Sequence, residues 1–370
     1  MRTPDIYKDL NIKSVINGKS WFTNLGGSIM KPEVIDAMNQ ASNAFINYEE
    51  LHEKCSDQVA KLCQAESALI TSGCASAIVL MSASVLCKKD MTLIDKIPNQ
   101  TENFEILISK HHRNHYDPSF EATGAKLIDF NDYKDLDEKI NSKTVAIAFV
   151  EATFLENKID FNQIISIADK NNIPVIVDAS AKLPPLENLY KFTNGGAALV
   201  SFSGGKGVRG PQNTGFMIGK KEYINFARKN LICFSDKKAK IGRSMKVSKE
   251  CIIGLTTALK IFLDTDQDTV WREWKNKAKY IINGLGNIDG IKIALEDEST
   301  VREGPQVIFY FSSEWKGIAP EELKRKLESG DPGIYLGDGG YGADMNISMV
   351  NIRDGEEKII TEKLKQLLVI

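Results

Sequence analysis

No apolar run in the 370 residues approaches the roughly 20 that cross a bilayer, so a membrane-spanning reading is set aside. Neither sign of charge is in excess. The 47 Lys and Arg against 49 Asp and Glu leave −2, and nothing in that balance favours a polyanionic partner. The polar opening MRTPDIYKDLNIK lacks the apolar centre of an export signal, which predicts a cytoplasmic protein. Cysteines are few and scattered. Cys55, Cys63, Cys74, Cys87, Cys233 and Cys251 make no C-x-x-C pair, which speaks for reduced thiols against a disulfide framework or a zinc knot. Histidine is scarcer, at four. His111, His112 and His115 stand close together, but Pro118 interrupts any helix that would array them, and no metal is expected. What is present is ordinary globular composition, 42% hydrophobic with 27 Gly and 11 Pro, enough chain for a large core.

Short apolar segments alternate with helical ones through the first two thirds of the chain. ESALITSG, ILISK, AKLIDF, TVAIAFVEA, PVIVDAS, ALVSFS and TGFMIGKK read as strands. PEVIDAMNQASNAF, HEKCSDQVAKLCQA, ASAIVLMSASVLC and FNQIISIADKNN read as helices. Strands that are continuously apolar and separated by helices predict an α/β domain with a mostly parallel sheet covered on both faces. From KVSKECIIGLTTALKIFL onward the order of elements changes to that of a smaller α+β domain. The expected organisation is an N-terminal segment, 1–50, packing on the small domain; a large domain, 51–245; and a small C-terminal domain, 246–370.

In an open parallel sheet, ligands sit at the carboxyl ends of the strands. Three such ends carry distinctive residues. Thr71-Ser72-Gly73-Cys74-Ala75-Ser76 is a small-residue turn entering a helix, the arrangement that cradles a phosphate. Asp178 closes PVIVD, a carboxylate behind an apolar strand that must find a partner. Lys206 lies among the glycines of SFSGGKGVRG. Each has an ordinary alternative taken alone: a packing turn, a helix N-cap, a solvated lysine. Gly205-x-Gly207-x-x-Gly210 matches a dinucleotide fingerprint only formally, because Pro211 and a strand follow where a helix is required. The three strand ends together fit one chemistry. A phosphate cup, a carboxylate for a pyridine nitrogen and an amine for an aldehyde are what pyridoxal 5'-phosphate needs.

VDASAKLPP (177–185), SFSGGKGVRGPQNTG (201–215) and GRSMKVSKE (242–250), with NLGGSIM, TSGCASA, HRNHYD and GDPGIY, resemble the selenocysteine-synthase-like branch of fold-type I pyridoxal phosphate enzymes. That branch includes L-seryl-tRNA(Sec) selenium transferases and D-glucosaminate-6-phosphate ammonia-lyase-like proteins. The resemblance implies a large domain with a seven-stranded type of sheet and a homodimer or higher assembly. It implies Lys206 as the Schiff-base lysine and Asp178 as the partner of the ring nitrogen. Ser72, Gly73 and Cys74 would hold the phosphate with help from Ser203, and His112 would stack on the ring. Arg209 and Arg243, inside the motif blocks, are the candidates for a substrate anion, ahead of Lys246 and Arg302. Tyr48, Glu49 and Glu50 are candidates to reach a neighbouring subunit's site.

A near-neutral chain with no room for a tRNA-binding domain before NLGGSIM points to a small-molecule substrate rather than tRNA. The expected reaction is α,β-elimination from an amino acid or amino sugar acid, with D-glucosaminate 6-phosphate as the specific expectation. The alternatives are a racemase or epimerase, with His112 or Tyr116 as a second acid/base, and a selenium transferase.

Overall fold

The computed structural model describes residues 4–152, 155, 158–231, 238–298, 303–340 and 342–368. Along the chain the strands are β1 (Val15–Gly18), β2 (Ser67–Thr71), β3 (Glu105–Ser109), β4 (Lys126–Phe130), β5 (Thr144–Val150) and β6 (Val175–Asp178). They continue with β7 (Leu199–Ser203), β8 (Gly215–Gly219), β9 (Ile291–Glu296), β10 (Gln306–Phe311), β11 (Gly333–Leu336) and β12 (Met345–Ser348).

Two compact units result. The larger spans Ser28–Thr265, and the smaller combines the residues up to Gly27 with those from Asp266 onward. The larger carries a seven-stranded sheet in the order β2-β8-β7-β6-β5-β3-β4. Only β8 runs against its neighbours, and the remaining pairs are parallel. All seven residues of β5 are buried, because alternate side chains feed two separate cores. Leu107, Ile147, Phe149, Val177 and Phe202 enter one. Ile106, Ile108, Ala148, Ile176 and Leu199 enter the other, where helix Cys74–Lys89 is buried through most of its length.

The unit boundaries differ from those expected at 50 and 245. Val34, Cys55 and Val59, on helices Pro32–Ser42 and Tyr48–Leu62, share a core with Ile252, Leu255 and Leu259 of helix Lys249–Asp264. Gly254 lets that last helix approach closely, since a β-carbon there would lie 2.8 Å from Met38. Residues 28–50 and 246–265 therefore belong to the large unit.

In the small unit β1 pairs in parallel with β11, and β9-β10-β12 form an antiparallel sheet. Its core joins Ile16 to Trp274, Ile281, Phe309, Ile347, Ile360 and Leu364. No helix among the described residues is long and apolar enough to cross a membrane.

Candidate active site

Asp178 is the last residue of β6 and is 4% exposed. Its Oδ1 accepts the Ser180 amide at 2.9 Å. Burial pushes the carboxyl above its usual range, opposed by the Ser180 amide and by the positive charge of Lys206. Lys206 itself sits in the turn that follows β7. Backbone bonds knit this turn: the Gly204 amide to Thr214 O at 2.8 Å, Gly210 to Gly204 O at 2.8 Å, and Arg209 to Lys206 O at 2.9 Å. Ser28 Oγ adds a bond to Gly205 O at 2.9 Å.

The glycines around Lys206 are there for close approach. A β-carbon on Gly205 would overlap Gln212, and one on Gly207 would overlap the Leu183 carbonyl oxygen. The turn is thus pressed against the segment leaving β6, which brings the lysine toward Asp178. Replacing Gly207 with Ala is expected to destabilise the protein by about 3 kcal/mol, because backbone rather than a yielding side chain must move. Thermal unfolding of the variant checks this; an unchanged Tm contradicts the close approach.

The third strand end closes the arrangement. Gly73 is the N-cap of helix Cys74–Lys89, with φ +119° and open space where a β-carbon would stand. Ser72 Oγ lies 3.0 Å from Ser76 Oγ, and Thr71 Oγ1 donates to Gly73 O at 2.9 Å. β8 passes directly beneath, where a side chain on Gly215 would strike Gly73 and Cys74. The first amides of a 16-residue helix, opening on an uncluttered turn, suit an anion. The Cys74 thiol is turned away from that role. It is buried 3.3 Å from Ser201 Oγ and 3.7 Å from Asp178 Oδ1, so only the backbone of Cys74 remains for a phosphate.

His112 lies in the turn Lys110–His112 after β3 and is 2% exposed. Its Nδ1 accepts the Val150 amide at 3.4 Å, and its ring meets Phe149 edge-on at 4.7 Å. Burial lowers its pKa to about 4, with the His111 charge adding to the effect, so the ring is neutral at pH 7. Val150 pairs with Asp178, which places His112 beside the same strand ends. Ser203 ends β7, half-buried, with its amide 3.4 Å from Ser180 O.

Of the expected anion ligands, Arg209 is half-buried in a left-handed backbone conformation (φ +56°), and burial lowers its pKa. Arg243 and Lys246 are exposed. The Arg243 charge acts on Tyr48, whose hydroxyl donates to Val247 O at 2.6 Å. Glu49 is exposed, Glu50 pairs with Lys54 on the surface, and Tyr116 is exposed against His115. Arg302 and Cys233 lie outside the described residues.

Sequence reasoning passed over Ser180, Ser201 and a largely buried ion pair. Lys182 Nζ lies 3.3 Å from Glu151 Oε1, and the Glu151 amide donates to Asp178 O at 2.9 Å. Ser201 had one signal, a hydroxyl inside the apolar ALVSF. Lys182 and Glu151 are far apart in sequence and become partners only through the pairing of β5 with β6.

The Aminotransferase class-V family model matches residues 33–353. D-glucosaminate-6-phosphate ammonia lyase of Salmonella typhimurium is 26% identical over 99% of this chain and 98% of its own. An L-seryl-tRNA(Sec) selenium transferase of Clostridium perfringens is 26% identical over 80% of this chain and 70% of its own. Among solved structures, a D-glucosaminate-6-phosphate ammonia-lyase superposes with TM-score 0.83 at 24% identity, covering 100% of this chain and 99% of the other. The buried carboxylate, the amine and the open helix N-terminus fit pyridoxal phosphate at its ring nitrogen, its aldehyde and its phosphate. The chain belongs to the aminotransferase class-V family of pyridoxal phosphate enzymes.

Proposed function

We propose that the protein is an ammonia-lyase acting on a phosphorylated amino sugar acid such as D-glucosaminate 6-phosphate. The observation that carries the site is the buried Asp178 within reach of the Lys206 charge, at the end of a strand that adjoins the Gly73 turn through Cys74. The choice of reaction rests on the likeness along nearly the full length of both chains to the Salmonella lyase.

Pyridoxal phosphate bound here supplies an electron sink for the electrons left when a proton leaves the substrate's α-carbon. Asp178, as a carboxylate, holds a proton at the ring nitrogen. The Gly73 turn holds the phosphate by backbone amides. The Lys206 amine would pair with the cofactor's aldehyde and, with substrate bound, would take the α-proton and return one later. Its half-buried position, with its charge acting on the buried Asp178 carboxylate, fits that work. Arg209 offers a desolvated cation to the substrate's carboxylate or phosphate. The balance is loss of the β-hydroxyl as water, return of one water on hydrolysis, and release of ammonia with a 2-oxo acid.

We expect a cytoplasmic homodimer or higher assembly. The test incubates the cofactor-loaded enzyme with D-glucosaminate 6-phosphate and with D- and L-amino acids. Equal amounts of ammonia and 2-oxo acid support the assignment. Inversion of configuration without ammonia, or turnover only with seryl-tRNA, overturns it in favour of a racemase or a selenium transferase.

A further inference from the structure

The Cys74 sulfur stands between two oxygens, Ser201 Oγ at 3.3 Å and Asp178 Oδ1 at 3.7 Å. The Ser201 hydroxyl proton is committed elsewhere, to Val177 O at 3.2 Å, so Ser201 presents lone pairs to the sulfur. An ionised Asp178 also only accepts. The single thiol hydrogen is therefore the donor in this cluster, shared between Ser201 Oγ and Asp178 Oδ1. A cysteine opening a helix is ordinarily acidified by the helix N-terminus. Here burial, with the Asp178 charge beside it, drives the thiol well above its ordinary range. It stays S–H, a donor and not a nucleophile.

We infer that Cys74 is a positioning residue for Asp178, its thiol fixing the carboxylate's rotamer against the Ser180 amide. Oδ1 takes the amide from one side and the thiol from the other, which leaves the remaining lone pairs to the ring nitrogen. The same residue begins the helix whose first amides would hold the phosphate. Cys74 thus sets the spacing between the two ends of the cofactor bed. This assignment rests on the pyridoxal phosphate site proposed above.

The S–H stretching band of Cys74, isolated by subtracting the infrared spectrum of a Cys74→Ala or Cys74→Ser variant, tests the bond without activity or cofactor. In the cofactor-free protein the band is expected at lower frequency than a non-bonded thiol, and to rise in Asp178→Asn, whose amide oxygen accepts more weakly. A band that Asp178→Asn leaves unmoved overturns the inference. Cofactor affinity supplies the second arm. Cys74→Ala is expected to bind pyridoxal phosphate about fivefold more weakly, the worth of one modest hydrogen bond. Cys74→Ser, which keeps a donor, should retain most of that affinity. Wild-type affinity in Cys74→Ala also overturns it. If the native protein takes up no cofactor, the site assignment fails instead, and the infrared band still decides the role of Cys74 toward Asp178.

Discussion

Replacing Lys206 with Ala is expected to lower turnover by at least about a thousandfold, the scale of a lost positioned acid–base group. The cofactor's long-wavelength absorbance, which on the proposed assignment depends on attachment to this amine, should disappear with it. The reason lies in how the turn is built. Lys206 is flanked by glycines whose backbone abuts Gln212 and Leu183, and no other lysine is delivered to Asp178 by a comparable turn among the described residues. Lys182 is buried nearby but is engaged with Glu151. Absorbance titration with pyridoxal phosphate, alongside ammonia release, reads both effects. A variant that keeps the band or the rate displaces Lys206 from the chemistry.

Asp178→Asn should have the second largest effect, in opposite directions for activity and stability. Turnover is expected to fall by about a hundredfold or more, since the group proposed to keep the ring nitrogen protonated loses its charge. The cofactor-free variant should nevertheless be more stable at neutral pH, by about 2 kcal/mol, because a buried charge has been removed and the Ser180 amide still finds an acceptor. The pH dependence has a definite sign. Burial raises the carboxyl's folded pKa above its unfolded value, so the folded state holds its proton more tightly. The associated stability is full below the unfolded pKa, near 3.8, and is lost as pH rises through the raised folded value. The lowered carboxyls elsewhere titrate in the same range with the opposite sign, so the test is the difference: the stability of cofactor-free Asp178→Asn minus that of the wild type should grow as pH rises through that window.

Most of the fold was legible because its strands obey one rule. VIVD, TVAIAFV and GFMIG are continuously apolar, as strands covered on both faces must be, and they lie where the periodicity put them. Helices with weaker patterns were not assigned. Tyr133–Lys139 buries only Leu136 and depends on the Asp132 cap, and Asn188–Asn194 has no side-chain cap. The start of Tyr48–Leu62 lies upstream of the expected 52 because Asn47 caps it through the Glu50 amide. The domain boundary moved for a tertiary reason. Helix Lys249–Asp264 reads equally well as the end of one unit or the start of the next, and only its core partners Val34 and Val59 decide.

Within the site, residues on strand-end motifs were legible and their orientations were not. Asp178 and Lys206 could be named because a carboxylate behind VIV and an amine among glycines are unusual. That the Cys74 thiol would turn toward Asp178 depends on the packing of helix Cys74–Lys89 against β6 and β7, which no local pattern encodes. The exposed position of Arg243, whose charge acts on Tyr48, is likewise a matter of where the turn Ile241–Met245 is placed.

The pairing of β1 with β11 carries a consequence for biosynthesis. Every strand of the seven-stranded sheet comes from one uninterrupted stretch, so that unit has its whole sequence in hand while the ribosome is still at work. The amino-terminal strand must wait, unpaired, until Gly333–Leu336 emerges. Slow translation across the last third of the message would therefore prolong exposure of Val15–Gly18 while leaving the larger unit free to mature on its own schedule.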